Sequence, residues 1–170
     1  TGHVWWTWFT PFLWYVFLPV ADALIGRDER NPPDSAVPGL EADGYYKALV
    51  YLSLPLFYAS WIVGAWAVST QSYGWAGYLG VTLAVALTNG LALVVGHEIG
   101  HKNTRFEKRL AQIVLAVPAY GHFSAEHNRG HHKDVATPDD PASSRFGETL
   151  YQFVLREIPG AMKRAWHDEK

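Results

Sequence analysis

Three stretches of this chain are apolar for about as long as a bilayer is thick, which leaves few folds open to it. A membrane-crossing helix needs about 20 consecutive apolar residues. Residues 4–25, 46–68 and 75–96 each reach that length. The first is interrupted by Pro11, Pro19 and Asp22, the second by Pro55, and the third holds Thr88 and Asn89 but no charge. Aromatic residues gather at their ends (Trp5, Trp6 and Trp8; Tyr45 and Tyr46; Tyr73 and Trp75), as side chains anchored in the interfacial layer do. Eight tryptophans and a 49% hydrophobic composition in 170 residues are high for a soluble domain. With no strand signal and no internal repeat, the expected fold is all-α, a polytopic transmembrane helical bundle.

The connections orient these spans. Between the first two runs lies RDERNPPDSAVPGLEADGYY, a polar loop punctuated by prolines. Only TQSYG separates the second from the third, so those two form an antiparallel pair. Lys102, Arg105, Lys108 and Arg109 follow the third run within eight residues, and by the positive-inside rule that end faces the cytoplasm. Arg27 and Arg30 put the first loop on the same side. Residues 106–117 are amphipathic at helical period, with Phe106, Leu110, Ile113 and Val114 on one side, too short to span and suited to the interface. A further amphipathic helix is expected over 148–166, broken or kinked near Pro159. Residues 1–170 thus read as one membrane domain, with 97–170 forming helices at its cytoplasmic face. A start at Thr1 without methionine and an end in WHDEK suggest a piece of a longer protein; the opening TGHVWWTW is no signal peptide, having no basic segment and no small-residue cleavage site.

Chemistry concentrates in two places. Five of the eight histidines fall in GHEIGHK (His97, His101) and EHNRGHH (His127, His131, His132). Residues four apart on a helix share a face, so His97 with His101, and His127 with His131, can address one centre. His132 lies about 100° further round an α-helix and is expected to turn to a neighbouring centre or another coordination position. Five imidazoles exceed the three or four protein ligands of a single zinc and argue for a metal pair. With no cysteine, the metal must be held by nitrogen and oxygen, leaving iron, zinc or manganese. A redox iron pair with vacant positions for oxygen suits oxidation of an unactivated substrate; zinc offers no redox chemistry. A net charge of −2 and no basic, aromatic-interleaved patch argue against nucleic acid as a partner.

Two rivals fit part of the pattern. His97-Glu98-Ile99-Gly100-His101 matches HExxH, the zinc-protease motif in which the glutamate is the general base. That reading leaves His127, His131 and His132 without a role. A metal transporter would need ligands near mid-span, where only Asp22 and Asn89 are polar.

GHEIGHK followed by YGHFSAEHNRGHHKDVATPDDPASSRFGE resembles the first two histidine boxes of the membrane-bound alkane 1-monooxygenases. NPP after the first span, TNGLALVVGHE and REIPGAMKRAW are similar to that family too, so the resemblance covers nearly the whole chain. Membrane fatty-acid desaturases share histidine boxes without the HNRGHH…ATPxDPASSRxGE signature and are the second choice. The resemblance implies a six-span enzyme of the inner membrane of a bacterium, with two non-haem iron ions, that inserts one atom of O2 into the terminal C–H bond of an alkane, with electrons from rubredoxin. It assigns His97, His101, His127, His131 and His132 as iron ligands. It also implies a later HxxHH box and further histidines that this sequence does not contain, so these 170 residues are not expected to hold both irons alone.

The remaining candidates are supporting ones. Asp22, an ionisable group inside an apolar span, is expected to face inward and orient a histidine. Glu98, Glu126, Asp134, Asp140 and Glu148 are further carboxylates suited to orient ligands, with Arg145 bridging carboxylates in a bidentate pair. Asp139-Asp140-Pro141 reads equally as turn chemistry. His122 is expected to be an ordinary polar residue, and His3 and His167 structural or solvated. An alkane, having no polar handle, is selected by the shape of an apolar channel that it enters from the bilayer. Trp14 is the expected length-limiting side chain, ahead of Trp8 and Phe17. Lys102, Arg105, Lys108, Arg109 and Lys133 offer a positive face on which an acidic carrier such as rubredoxin could dock.

Overall fold

The computed structural model describes residues 4–28 and 30–168 of the chain; His3 lies outside them. All regular structure among the described residues is helical. The chain divides into two compact units, residues 1–92 and 93–170.

The first unit is built on two long helices. α5 (Gly44–Thr70) and α6 (Trp75–Gly100) are each long and apolar enough to cross a membrane. Within a helix every backbone amide meets a carbonyl of its own segment, the condition for a lipid-exposed span. Asp43 starts α5 by accepting the Tyr45 N–H at 2.8 Å. The two run antiparallel, as the short turn requires: Gly64 faces Val85, and Ser60 faces Asn89 with an amide-to-hydroxyl distance of 3.5 Å. Small residues at such crossings let helix backbones approach. Large apolar side chains such as Trp61, Trp66 and Leu79 point outward and stay exposed, as side chains bathed in lipid do.

The first apolar run is less regular than expected. It is helical over α1 (Val4–Thr7) and α2 (Phe9–Phe12), a π-helical stretch Leu13–Phe17, and α3 (Leu18–Ile25), with a turn at Trp8. Trp8 leaves helical geometry (φ −94°, ψ 0°), and its indole N–H donates to the Ala76 carbonyl at 3.1 Å. Leu18 donates five residues back, to Leu13, directly before Pro19, which has no amide hydrogen to donate. The loop that follows contains a 3-10 turn (Asp34–Ala36) and a short helix α4 (Val37–Ala42) with Pro38 in its first turn, where a missing N–H costs nothing.

In the second unit α6 continues one turn past its expected end and carries His97 in its last turn. α7 (Arg105–Ala116) begins with a reciprocal cap: Glu107 N–H donates to Thr104 Oγ1 at 3.1 Å and the Thr104 hydroxyl donates to the Glu107 carboxylate at 2.7 Å. Its buried side is Glu107, Ala111, Val114 and Leu115, whereas Phe106 and Ile113 are exposed. The expected apolar stripe is therefore rotated: Val114 packs inward while Phe106 and Ile113 face the surroundings. α8 (Phe123–Glu126), a π-helical turn (His127–His131) and α9 (His132–Asp134) form one winding segment with a non-glycine residue at positive φ on either side, Ala119 at 58° and Ala136 at 64°. α10 (Leu150–Asp168) starts from Thr149 and Gln152, which cap each other, and continues through Pro159 without the break that was one of the two expected outcomes there.

Close packing of α6 on α7 makes one position testable. A Cβ on Gly96 would stand 2.6 Å from Leu115 Cγ, and Leu115 is fully buried. Gly96→Leu should therefore cost about 1–3 kcal/mol by overpacking. Gly90→Ala, where a Cβ meets nothing within 4 Å, should not. Thermal melting of the full-length protein in detergent reads both, and equal melting of the two variants is the contrary result.

Candidate metal centre

The segment carrying the second histidine cluster is wound more loosely than an α-helix, and this decides which rings meet. Along an α-helix His127 would share a face with His131. In a π-helical turn bonds close five residues apart, so His127 comes into register with His132. Their Nε2 atoms stand 3.1 Å apart. His132 is thus brought against His127, in keeping with the expectation of another coordination position.

From the other side, His97 on α6 and His101 just past its end bring two more rings. The ligand nitrogens of His97, His101 and His127 all lie within 4.8 Å of one another, and Nε2 of His101 and His127 are 3.4 Å apart. Nitrogens sharing one first-row metal at about 2.0–2.1 Å stand roughly 3.0–3.4 Å from each other. The 3.1 and 3.4 Å separations fall in that range. His131 stands beside the group, its ring stacked on that of His127 at 5.2 Å. The all-nitrogen donor set and its convergence fit a first-row metal, iron included.

Burial keeps the innermost ring neutral. His127 is 7% exposed, and desolvation, reinforced by the neighbouring imidazoles, pushes its pKa down to about 4. A neutral ring is the form that ligates. His131 is oriented by a carboxylate: Nδ1 lies 2.8 Å from Asp140 Oδ2, leaving Nε2 for the centre. Asp140 is itself fixed by the Ser143 hydroxyl at 2.5 Å and the Ala142 N–H at 3.0 Å. Burial raises its pKa, and these three hydrogen bonds outweigh that, so Asp140 is held below the usual carboxylate range. Glu126, 1% exposed, is pushed the other way by burial, partly offset by Arg164.

The other expected residues take varied places. Glu98 is exposed and pairs with Lys102 at 2.7 Å, a surface contact. Asp22 is exposed on α3 in the first unit, and its carboxylate has no hydrogen-bond partner among the described residues. Asp134 receives the Arg164 guanidinium. Glu148 forms a bidentate pair, but with Arg156 at 2.9 and 2.7 Å; Arg145 contributes its backbone N–H. The Arg156 bonds hold Glu148 down at about 2. His122 packs on Tyr120 with Nε2 buried and unpaired, and His167 is exposed on α10. In the first unit an apolar cavity of about 770 Å³ is lined by Trp5, Trp8, Phe12, Tyr15, Val16 and Leu83 among others; Trp14, partly exposed beside it in sequence, is not on its wall.

Two arginines escaped the sequence reading. Arg156, Gly160 and Arg164 are four apart and share one face of α10. Arg156 donates to the carbonyls of Pro141 and Ser143, Arg164 to the carbonyl of Asp139, and a Cβ on Gly160 would stand 2.6 Å from Pro141 Cβ. That repeat of four, facing a loop rich in carboxylates, was the available signal.

The reluctance of His127 to protonate gives a pH dependence. Its folded pKa is below the unfolded value, so between about pH 6.5 and 4 the unfolded chain takes a proton that the folded chain refuses. Stability of the metal-free protein should therefore fall as pH drops through that window, more steeply than in His127→Gln. Melting temperatures of both across the window test this, and parallel curves would contradict it.

The chain matches the fatty acid desaturase family over residues 73–169. It is 54% identical to alkane 1-monooxygenase 1 of Alcanivorax borkumensis over 166 residues, covering 98% of this chain and 41% of that protein. It is likewise 54% identical to the alkane 1-monooxygenase of Pseudomonas putida (91% and 38%), and 37% identical to that of Acinetobacter baylyi (91% and 38%). The chain thus spans about two fifths of the length of these curated relatives. With both histidine boxes inside the matched region, the chain belongs to the fatty acid desaturase family and is similar to the alkane 1-monooxygenases over nearly all of its length.

Proposed function

We propose that the protein containing this chain is a membrane monooxygenase that hydroxylates the terminal carbon of alkanes, taking one atom from O2. The observation that carries this reading is the convergence of His97, His101 and His127, in a chain 54% identical to alkane 1-monooxygenases. His97, His101, His127, His131 and His132 would hold non-haem iron, with the rest of a two-iron ligand set supplied from beyond this chain. When bound, a pair of irons supplies the redox chemistry that activates O2 for insertion into an unactivated C–H bond. Overall, an alkane, O2, two electrons and two protons give a primary alcohol and water.

This chain's residues supply position and environment. Asp140 fixes the tautomer of His131 by taking the Nδ1 proton in a hydrogen bond, so that Nε2 presents a lone pair. Glu126, buried beside His127, and Phe123, stacked on it at 4.5 Å, exclude water from that flank. Apolar substrate would enter from the bilayer along the first span, with Trp14 limiting chain length. Rubredoxin would deliver electrons at a face carrying Lys102, Arg105, Lys108, Arg109 and Lys133, which the positive-inside rule puts in the cytoplasm. A desaturase reading is the second one, favoured by the family match over 73–169.

Metal analysis and an alkane assay on the full-length protein test the proposal. Two irons per chain and a terminal alcohol are expected; one zinc with peptide cleavage overturns it, and a desaturated acyl product favours the second reading. Asp140→Asn should lower iron affinity by roughly 10–100-fold while leaving helix content intact; unchanged iron content in dialysis would remove Asp140 from the site. Trp14→Ser should shift the product profile towards longer alkanes, read by chromatography of the alcohols formed. An unaltered profile excludes Trp14 as the limit.

A further inference from the structure

Arg164 is placed where an ordinary surface arginine has no reason to be. Its side chain is only 19% exposed and it sits among carboxylates from two segments of the second histidine box. Nη2 is 2.5 Å from Asp134 Oδ2, Nε is 3.8 Å from Glu126 Oε1, and Nη1 is 3.9 Å from Asp140 Oδ1. Nη1 also donates to the Asp139 carbonyl at 3.2 Å. Each of these anchors is tied to a ligand candidate. Glu126 directly precedes His127, Asp134 ends the helical segment that holds His131 and His132, and Asp140 bonds His131 Nδ1 at 2.8 Å.

The backbone is shaped to admit the guanidinium. Gly130 lies inside the π-helical turn, and a Cβ there would stand 2.7 Å from Arg164 Nε and 2.8 Å from Glu126 Oε1. Glycine is a poor residue for a helical turn, costing up to about 1 kcal/mol against alanine. Its place at this point is explained by the close approach of the arginine. Lysine could not do the same work: a point charge on a flexible stem cannot face three carboxylates and a carbonyl from one plane.

We propose that Arg164 is a positioning residue for the metal centre, spanning Glu126, Asp134 and Asp139–Asp140 so that the π-helical turn and the Asp140 carboxylate hold His127, His131 and His132 in their converging arrangement. The inference rests on the reading of these histidines as metal ligands. It predicts that Arg164 acts on the metal through Asp140 and the turn, without touching the metal itself.

Cobalt(II) titration of the metal-free full-length protein tests this, with affinity and the visible ligand-field spectrum as readouts and helix content measured alongside. Arg164→Met should weaken binding about tenfold or more, as loss of an orienting partner does, and shift the spectrum. Arg164→Lys should recover part of the affinity. Gly130→Ala, which leaves every charge in place and favours helix, should move affinity and spectrum in the same direction by displacing the guanidinium. In an Asp140→Asn background, Arg164→Met should add less than it does alone, because both act on one ligand. Unaltered affinity and spectrum in folded Arg164→Met overturn the proposal, as do fully additive effects with Asp140→Asn. Should Arg164→Met fail to fold, Gly130→Ala decides, and an unchanged spectrum in that variant overturns it. If the unsubstituted protein binds no cobalt, the metal-centre reading fails and this inference with it; binding that no variant disturbs refutes the inference alone.

Discussion

Five imidazoles crowded at ring separations of 4.3–5.8 Å organise the second unit, with His127 buried at their middle. There desolvation and the adjoining rings together make protonation of His127 costly. At the edge, Asp140 settles the tautomer of His131 by accepting at one nitrogen and so freeing the other. Such crowding favours a metal cation, since neutral nitrogens then converge on one positive charge instead of on each other's lone pairs.

Carrying those rings to one place needs two helices that approach closely and one turn that departs from α geometry. α6 and α7 meet at Gly96 and Leu115, which sets the end of α6, and with it His97 and His101, against the rest of the unit. The departure occurs at His127–His131. One extra residue in the turn exchanges an i,i+4 register for i,i+5, so that consecutive histidines 131 and 132 divide the work. His132 faces His127 across 3.1 Å, and His131 stacks on His127 while reaching Asp140. Wide turns of this kind are rare in helices and concentrate at functional sites.

Much of this was legible in the sequence, for identifiable reasons. The two long spans were read from uninterrupted hydropathy, which depends on composition and length alone, and the structure extends them by a few residues at ends that hydropathy does not mark. Histidine type and spacing were enough to name the five rings, and Asp140 was named only as one of several carboxylates suited to orient them. What spacing could not supply was the winding of the turn: an α-helical template separates His132 from His127, and nothing in HNRGH announces a π-helix. The amphipathic stripe of α7 was misjudged because Phe106 and Ile113 are apolar but face outward, which is where apolar side chains belong when the surroundings are lipid. Hydropathy marks two kinds of apolar face in a membrane protein and does not say which is packed.

Arg164 went unread for a related reason: its partners are distant in sequence, and its charge made it look like a solvated helix face. The charges around it argue otherwise. Glu126, Asp134 and Asp140 bring three carboxyl groups to one guanidinium, with Glu126 at 1% exposure and Asp140 at 2%. Such an excess of acid in a partly desolvated region is unfavourable by itself, and burial accordingly raises the pKa of Glu126. Arg164 supplies one positive charge against them from α10, 2.5 Å from Asp134 and 3.8–3.9 Å from Glu126 and Asp140. A metal cation held by the adjoining imidazoles would supply more, while the arginine, anchored on another helix, can organise the histidine segment without occupying a coordination position.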